Sequence, residues 1–410
     1  MSPTPDTPAS EPRVPPEPRL GSRPEEALPA DGCTGTLVGR VWDPDADGPS
    51  PVVVREDGLY DISRSFPTVR DLCEEQDPAT TAVEAAKASG RRVGSFEDVL
   101  ANTDPAVRDP GRPWLLAPVD LQTLKAAGVT FAVSMVERVI EERVRGDFQA
   151  AAKMREQILD EIGTDLHELR PGSPEAARLK RFLSERGLWS QYLEVGIGPD
   201  AEIFTKAPTL AAVGTAVPVG VPSTSTWNNP EPEVALVVRS DGVPVGATLG
   251  NDVNLRDVEG RSALLLPQAK DNNASCALGP LVRLFDSTFD LDSARAMTVR
   301  LEIDGTDGFH LDGESHMSQI SRDPEDLVAQ LMSAHQYPDG VVLMLGTMFA
   351  PVVDREQEGM GFTHKEGDVV RIAAGELGTL VNRVAYCDRC EPWSFGLRDL
   401  MQNLAARGLL

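Results

Sequence analysis

Cysteine is scarce in this chain of 410 residues, and what there is forms no framework. The five cysteines, Cys33, Cys73, Cys276, Cys387 and Cys390, are odd in number and scattered. That excludes a small disulfide-stapled secreted scaffold and predicts reduced thiols in a cytoplasmic protein. Cys387 and Cys390 make a CxxC, but no second pair and no neighbouring histidine completes a zinc site, so they read as two ordinary thiols. Long apolar runs are missing too. No stretch approaches the roughly 18 residues of a membrane helix. The first residues carry no basic region followed by an apolar one, which excludes a signal peptide. Positive charge is in deficit: 39 basic against 64 acidic residues leave a net charge of −25. Nucleic acid and anionic membranes repel such a polyanion, so neither is an expected partner.

What is present is ordinary for a globular protein, with 41% hydrophobic and 25% charged residues. The length predicts more than one structured part. Residues 1–32 are rich in Pro, Glu, Ser and Ala, the composition of a disordered tail. Residues 33–115 contain "GTLVGRVW" and "SPVVVREDGLYDIS" and predict a small β-rich domain, with short helices at "DPATTAVEAAKASG" and "SFEDVLANT". Residues 116–200 predict a helical bridge into the catalytic domain. Its helical signal runs through Met135, Val139, Ile140, Met154, Ile158 and Leu159, broken at Gly146-Asp147. A further helix there has a Ser173 cap and a Gly187 stop. Residues 201–410 turn to β. Strands are expected at 211–219, 234–238, 299–303, 341–345, 369–373 and 379–384, with one helix opening at Asp323-Pro324. The expected class is α+β, dominated by strands.

The chemistry is concentrated after residue 200. In "NNPEPEVALVV" the carboxylates of Glu231 and Glu233 stand at the mouth of a buried strand, two apart and therefore on one face. "GATLGNDVNLRDVEG" then brings a strand, a glycine turn at Gly250 and a third carboxylate, Asp252. Three converging carboxylates repel unless a cation lies among them. Oxygen donors suit a hard divalent ion: magnesium first, manganese or calcium next. Lys270, in the polar loop "PQAKDNNASCALGP", adds one ammonium. With a dication, the three carboxylates and this lysine sum to zero, a balance that permits burial.

These residues carry a resemblance. "EPEVALVV", "GATLGNDVNLRDVEG", "KDNNASCALGP", "GVVLMLGTMFAP" and "GDVVRIAAGELGTLVNRV" resemble, in order, core motifs of the fumarylacetoacetate hydrolase superfamily. The likeness covers about residues 120 to 390. It implies rolled, mixed β-sheets around the site and a homodimer or higher homo-oligomer. It implies Glu231, Glu233 and Asp252 as metal ligands, Lys270 as a catalytic contact to substrate and enolate, and Gly346 and Thr347 as site lining. The run "KDNNASCALGPLVRLFD", with "MSQISRDPEDLVAQ" and "HQYPDGVVLMLGTMFAP", resembles the branch of bacterial 2-keto-3-deoxy-pentonate dehydratases. Asn273 replaces an acidic residue common in the family. With Ser315 and Gln319 it is a candidate for contacts to substrate hydroxyls.

One departure points the same way. The family's C–C hydrolases carry a His–Glu pair that activates water. Here "GVTFAVSMVE" offers Phe131 for the family tyrosine and Ser134 for the histidine, and only Glu137 remains. Without an imidazole there, a general base for water is poorly served. Glu137 is the expected base for a C3 proton, with Glu141 and Glu142 read as a solvated helix face. His316, His335 and His364 read as structural or surface residues. The implied reaction is dehydration: a 2-keto-3-deoxy acid binds the cation through its carboxylate and keto oxygen, loses its C3 proton and C4 hydroxyl, and tautomerises to 2-oxoglutarate semialdehyde. The rivals are a hydrolase, isomerase or decarboxylase of an acylpyruvate-type acid, and a binding protein without turnover. The 33–115 part shows no chemistry of its own.

Overall fold

The computed structural model describes residues 20, 23–131, 169–187, 189, 191–348, 351, 353–355 and 362–410. Of the tail expected over 1–32, residues 1–19, 21 and 22 lie outside the described residues, but Pro24–Ala27 form a short helix and Asp31 pairs with Arg283 at 2.7 Å, so its end is ordered. The helical signal from 132 to 163 also lies outside the described residues, as do Ser134, Glu137, Glu141 and Glu142. Among the described residues no helix is long and apolar enough to cross a membrane.

Strands dominate. Before the bridge come β1 (Leu37–Asp43), β2 (Gly48–Arg55), β3 (Gly58–Asp61), β4 (Arg91–Gly94), β5 (Trp114–Leu116) and β6 (Thr123–Gly128). After it come β7 (Glu202–Ala207), β8 (Val219–Val221), β9 (Asn228–Asn229), β10 (Pro232–Val238), β11 (Pro244–Asp252), β12 (Asn254–Leu255) and β13 (Cys276–Leu284). The last are β14 (Thr298–Asp304), β15 (His310–His316), β16 (Val341–Met344), β17 (Val369–Ala374) and β18 (Gly378–Tyr386). An 11-stranded sheet runs β4-β3-β2-β1-β13-β11-β10-β16-β6-β7, with β5 on β1. A five-stranded sheet runs β15-β14-β17-β18-β8, and β12 pairs with β9.

The apolar run of β10 has a simple cause: both its faces are covered. Val234, Leu236 and Val238 pack with Val299, Leu301, Ile372 and Leu380 of the five-stranded sheet. Ala235 and Val237 pack on the other side with Val342 and Met344, in a cluster that includes Leu72 and Ala82 of two helices. Those helices, Val69–Cys73 and Pro78–Ser89, start on side-chain caps from Thr68 and Asp77. The Ser173 cap also forms, accepting from the Ala176 N–H at the start of Pro174–Glu185.

Three expectations change. No strand spans 211–219: Leu210 and Ala216 adopt positive φ and Pro218 has no N–H, so only a bridge from Val213 to Ala277 forms before β8. The loop expected over "PQAKDNNASCALGP" gives way at Cys276 to strand β13, which crosses Gly279-Pro280. The missing donor falls at an irregularity in the β11–β13 register, where a strand tolerates proline. The stretch 33–115 shares one continuous sheet with the later strands, because β1 pairs with β13 through Leu37–Arg283 and Val38–Val282. The C-terminal helix Leu397–Ala406 returns to the same place, and Asn403 Nδ2 donates to the Ala46 and Asp47 carbonyls at 2.9 Å.

Asp368, just ahead of β17, is a buried anchor. It accepts from Arg355 at 2.5 and 2.8 Å and from the Lys365 N–H at 2.9 Å. Burial opposes its charge, yet the Arg355 guanidinium and His364 beside it hold the carboxyl below the usual range. A carboxyl depressed in the folded state stabilises above its unfolded pKa, about 3.9, and that stabilisation is lost as pH falls through the folded value. We therefore expect the urea midpoint to drop below about pH 4, and Asp368→Asn to flatten that drop. An unchanged acid limb in Asp368→Asn would remove Asp368 from this role.

Candidate metal centre and active site

The site is built at the ends of two adjacent antiparallel strands. Glu233 in β10 lies opposite Gly250 in β11, and Pro232 opposite Asn251. Opposed residues share a face and side chains alternate, so Glu231, Glu233 and Asp252 all project to one side. Gly250 makes room for the Met344 side chain beside them: a Cβ there would lie 2.5 Å from Met344 Cε. The backbone tightens the arrangement, with the Asp252 N–H donating to the Glu231 carbonyl at 3.0 Å and the Glu231 N–H to Asn251 Oδ1 at 3.2 Å. Asp252 therefore ends a paired strand, opposite Cys276, and does not follow a glycine turn as the sequence reading had it.

All three carboxylates are buried, and each offers an oxygen within 4.8 Å of the others. Lys270 reaches them from the last position of the short helix Leu266–Lys270, not from a loop. Its Nζ pairs closely with Glu231 and donates to Asp252 Oδ2 at 2.9 Å. Burial works against its charge, but Asp252 and Glu231 raise its pKa above the ordinary lysine value. Burial pushes the Glu233 carboxyl well up, and so do the neighbouring charges of Asp252 and Glu231. Lys270 and the Gly346 N–H oppose them without prevailing. Of the three carboxyls, Glu233 is thus the one whose charge its surroundings oppose most.

Gly346 follows β16 and donates its N–H to Glu233 Oε2 at 2.7 Å. It has φ +102, and a Cβ there would meet Thr130 Oγ1 at 2.0 Å, so only glycine fits. Thr347 is next in the chain and half-buried.

A second lysine was not legible in the sequence. Lys206, at the end of β7, is fully buried, and its Nζ lies 2.8 Å from Asp252 Oδ1 in an ion pair short of hydrogen-bond geometry. Burial opposes the Asp252 charge, but Lys206 and Lys270 together hold that carboxyl below its ordinary range. The zero charge balance expected from one lysine thus changes. Three carboxylates and two ammonium groups leave one negative charge, and a dication makes it one positive.

The donor set fits a hard divalent cation. It is all oxygen, buried and anionic, and its crowded carboxylates raise the Glu233 pKa in a way that a bound dication would relieve. A second acidic group, Glu302, Asp304 and His310, does not fit: it is half-buried to exposed, and Arg371 pairs with both carboxylates.

Residues 195–385 match the C-terminal domain of fumarylacetoacetate (FAA) hydrolase. A probable 2-keto-3-deoxyxylonate dehydratase of Haloferax volcanii is 30% identical over 277 residues, covering 65% of this chain and 90% of the relative. The chain belongs to the fumarylacetoacetate hydrolase family. A second family member, the 2-dehydro-3-deoxy-D-arabinonate dehydratase of Saccharolobus solfataricus, is 32% identical over 183 residues. That match spans 45% of this chain and only 58% of the relative. The family fold is also that of a solved 2-keto-3-deoxy-D-arabinonate dehydratase complexed with magnesium and 2,5-dioxopentanoate. The TM-score is 0.56 at 20% identity, over 85% of this chain and 99% of that one.

Of the residues singled out in the sequence, the fold brings together Glu231, Glu233, Asp252, Lys270 and Gly346. Asn273 lies in the loop after Lys270, exposed, with its amide donating to the Cys387 carbonyl at 3.3 Å. Ser315 is buried on β15 and Gln319 exposed in the turn after it. No hydrogen bond joins either to the carboxylates among the described residues. His316 and His335 are exposed; His364 is buried, and burial lowers its pKa despite Asp368 beside it.

Proposed function

We propose that this protein is a divalent-metal-dependent dehydratase of a 2-keto-3-deoxy sugar acid, a pentonate, giving 2-oxoglutarate semialdehyde. The observation that carries the proposal is the carboxylate triad with Lys270 inside it, buried within a fold whose relatives carry dehydratase names. Magnesium is the proposed ion, held by Glu231, Glu233 and Asp252, with manganese or calcium as substitutes. When bound it supplies Lewis acidity toward the keto acid.

The remaining work belongs to the chain. Lys270 keeps a fixed positive charge beside the triad, where negative charge on the C2 oxygen develops as the C3 proton leaves. Glu137 is the proposed base for that proton. The C4–O bond then breaks and the hydroxide takes up a proton and leaves as water. The C3=C4 enone loses a proton at C5 and gains one at C3, and the resulting C4=C5 enol gains a proton at C4 and loses its hydroxyl proton to give the C5 aldehyde. Gly346 and Thr347 line the site, the first by fixing Glu233. Asn273, Ser315 and Gln319 are proposed contacts to the sugar-acid hydroxyls. We place the enzyme in the cytoplasm as a homodimer or higher homo-oligomer.

The test is a panel. Purified protein is incubated with magnesium, then with EDTA, against 2-keto-3-deoxy acids and an acylpyruvate, and the products are identified. We expect the semialdehyde from a 2-keto-3-deoxy-pentonate, lost with EDTA and restored by magnesium. Cleavage of the acylpyruvate C–C bond without dehydration would assign the hydrolase reaction instead.

A further inference from the structure

Lys206 is an unusual residue to bury. It is fully enclosed, so no water solvates its ammonium, and a charge so placed is costly unless fully satisfied. It is satisfied here. Besides its ion pair with Asp252 Oδ1, Nζ donates to the Val253 carbonyl at 3.1 Å, to Ser275 Oγ at 3.4 Å and, closely, to the Lys270 carbonyl. The Ser275 hydroxyl donates to that same Lys270 carbonyl at 2.9 Å and accepts the Asn272 N–H at 3.0 Å. Three separate pieces of chain thus meet on one ammonium: β7, the end of β11, and the helix end that presents Lys270. Asp252 is shared between the two lysines, Oδ1 toward Lys206 and Oδ2 toward Lys270.

Such an arrangement is poor economy for stability alone. Replacing a whole buried ion pair by apolar side chains of similar volume is often neutral or stabilising, so a buried pair is weak evidence of a role in stability. Its electrostatic consequence is specific. With Lys206 absent, the cation-loaded pocket would be neutral; with it, the pocket keeps one positive charge in excess, the complement of one carboxylate.

We propose that Lys206 is a positioning residue that fixes Asp252 and the Lys270 backbone and sets the charge of the loaded pocket to accept a monoanionic 2-oxo acid. This rests on the metal-site reading given above. Lys206 acts through Lys270 and Asp252 rather than on the reacting atoms.

The test separates cation binding from anion binding. Lys206→Met keeps the volume and removes the charge. Lys206→Gln keeps a donor for the carbonyls without charge, and answers the question if the methionine variant does not fold. Magnesium is titrated into each protein by calorimetry, then pyruvate, a simple 2-oxo monoanion, into the magnesium-loaded form. Removing a positive charge favours a cation and disfavours an anion. We expect magnesium affinity to hold or tighten and pyruvate affinity to weaken about tenfold or more, while the metal-free thermal midpoint falls because Asp252 loses a buried partner. Weakening of both ligands together would mark Lys206 as merely structural, and unchanged pyruvate binding would remove its part in anion selection; either result overturns the proposal. Neither arm needs turnover. A wild-type protein that binds magnesium and pyruvate but dehydrates nothing defeats the proposed reaction and leaves this inference to be judged on its own data.

Discussion

Glu233→Gln is expected to lower kcat/KM toward a 2-keto-3-deoxy-pentonate by roughly two to four powers of ten, the loss of several kcal/mol of transition-state stabilisation. The substitution is nearly isosteric and keeps an acceptor for the Gly346 N–H, so the fold should persist. It also removes a like charge from a crowd. Burial and the charges of Asp252 and Glu231 already hold the Glu233 carboxyl above its ordinary pKa. The metal-free variant should therefore be as stable as wild type, or more so. The same shift gives a pH signature. If Glu233 is a ligand, a cation competes with a proton for its raised carboxyl, so magnesium affinity should rise with pH toward that raised pKa. In Glu233→Gln that rise should vanish. Calorimetric magnesium titrations at several pH values decide it. A variant that binds magnesium like wild type, with the same pH slope, would show that Glu233 is no ligand.

Lys270→Ala is expected to act on stability as strongly as on turnover. Its ammonium pairs with Glu231 and Asp252 in a site closed to water. Removing one partner of a buried ionic group leaves uncompensated charge, at a cost of about 3–5 kcal/mol. A dication can replace the missing positive charge, so saturating magnesium should restore part of that loss by binding the folded state alone. Urea unfolding of both proteins, with magnesium and with EDTA, measures this directly. An equal deficit under both conditions would mean that Lys270 serves packing only. On the proposed mechanism turnover should fall as well, since the variant would lack the charge proposed to face the developing enolate.

Much of this centre was legible because it depends on local pattern. The Val234–Val238 run marks a strand buried on both faces, and the Glu231–Glu233 spacing puts two carboxylates on one side of it. Asp252 and Lys270 were legible as members of the site through their motifs. Their local settings were not, because a strand end and a short helix depend on pairing with distant residues such as Cys276. Lys206 was illegible for a sharper reason. In "EIFTKAPTL" a lysine near the end of a short strand looks like any solvated residue. Only the approach of β11 and the Lys270 helix encloses it. The β1–β13 pairing escaped for the same reason, since its partners are some 245 residues apart. Gly346 was placed at the site by motif, but its hold on Glu233 is a backbone contact that no residue type announces.

That pairing has a bearing on how the protein can be altered. Strand β13 lies between β1 and β11, which carries Asp252, and β1 is in turn covered by β2, whose start carries the C-terminal helix. The opening strands therefore work as a seam closing an otherwise raw flank, two ladders from Asp252. Trimming them as a dispensable prefix would bare a row of unpaired amides beside the reaction centre, an invitation to self-association. Tags and fusions belong elsewhere on the surface.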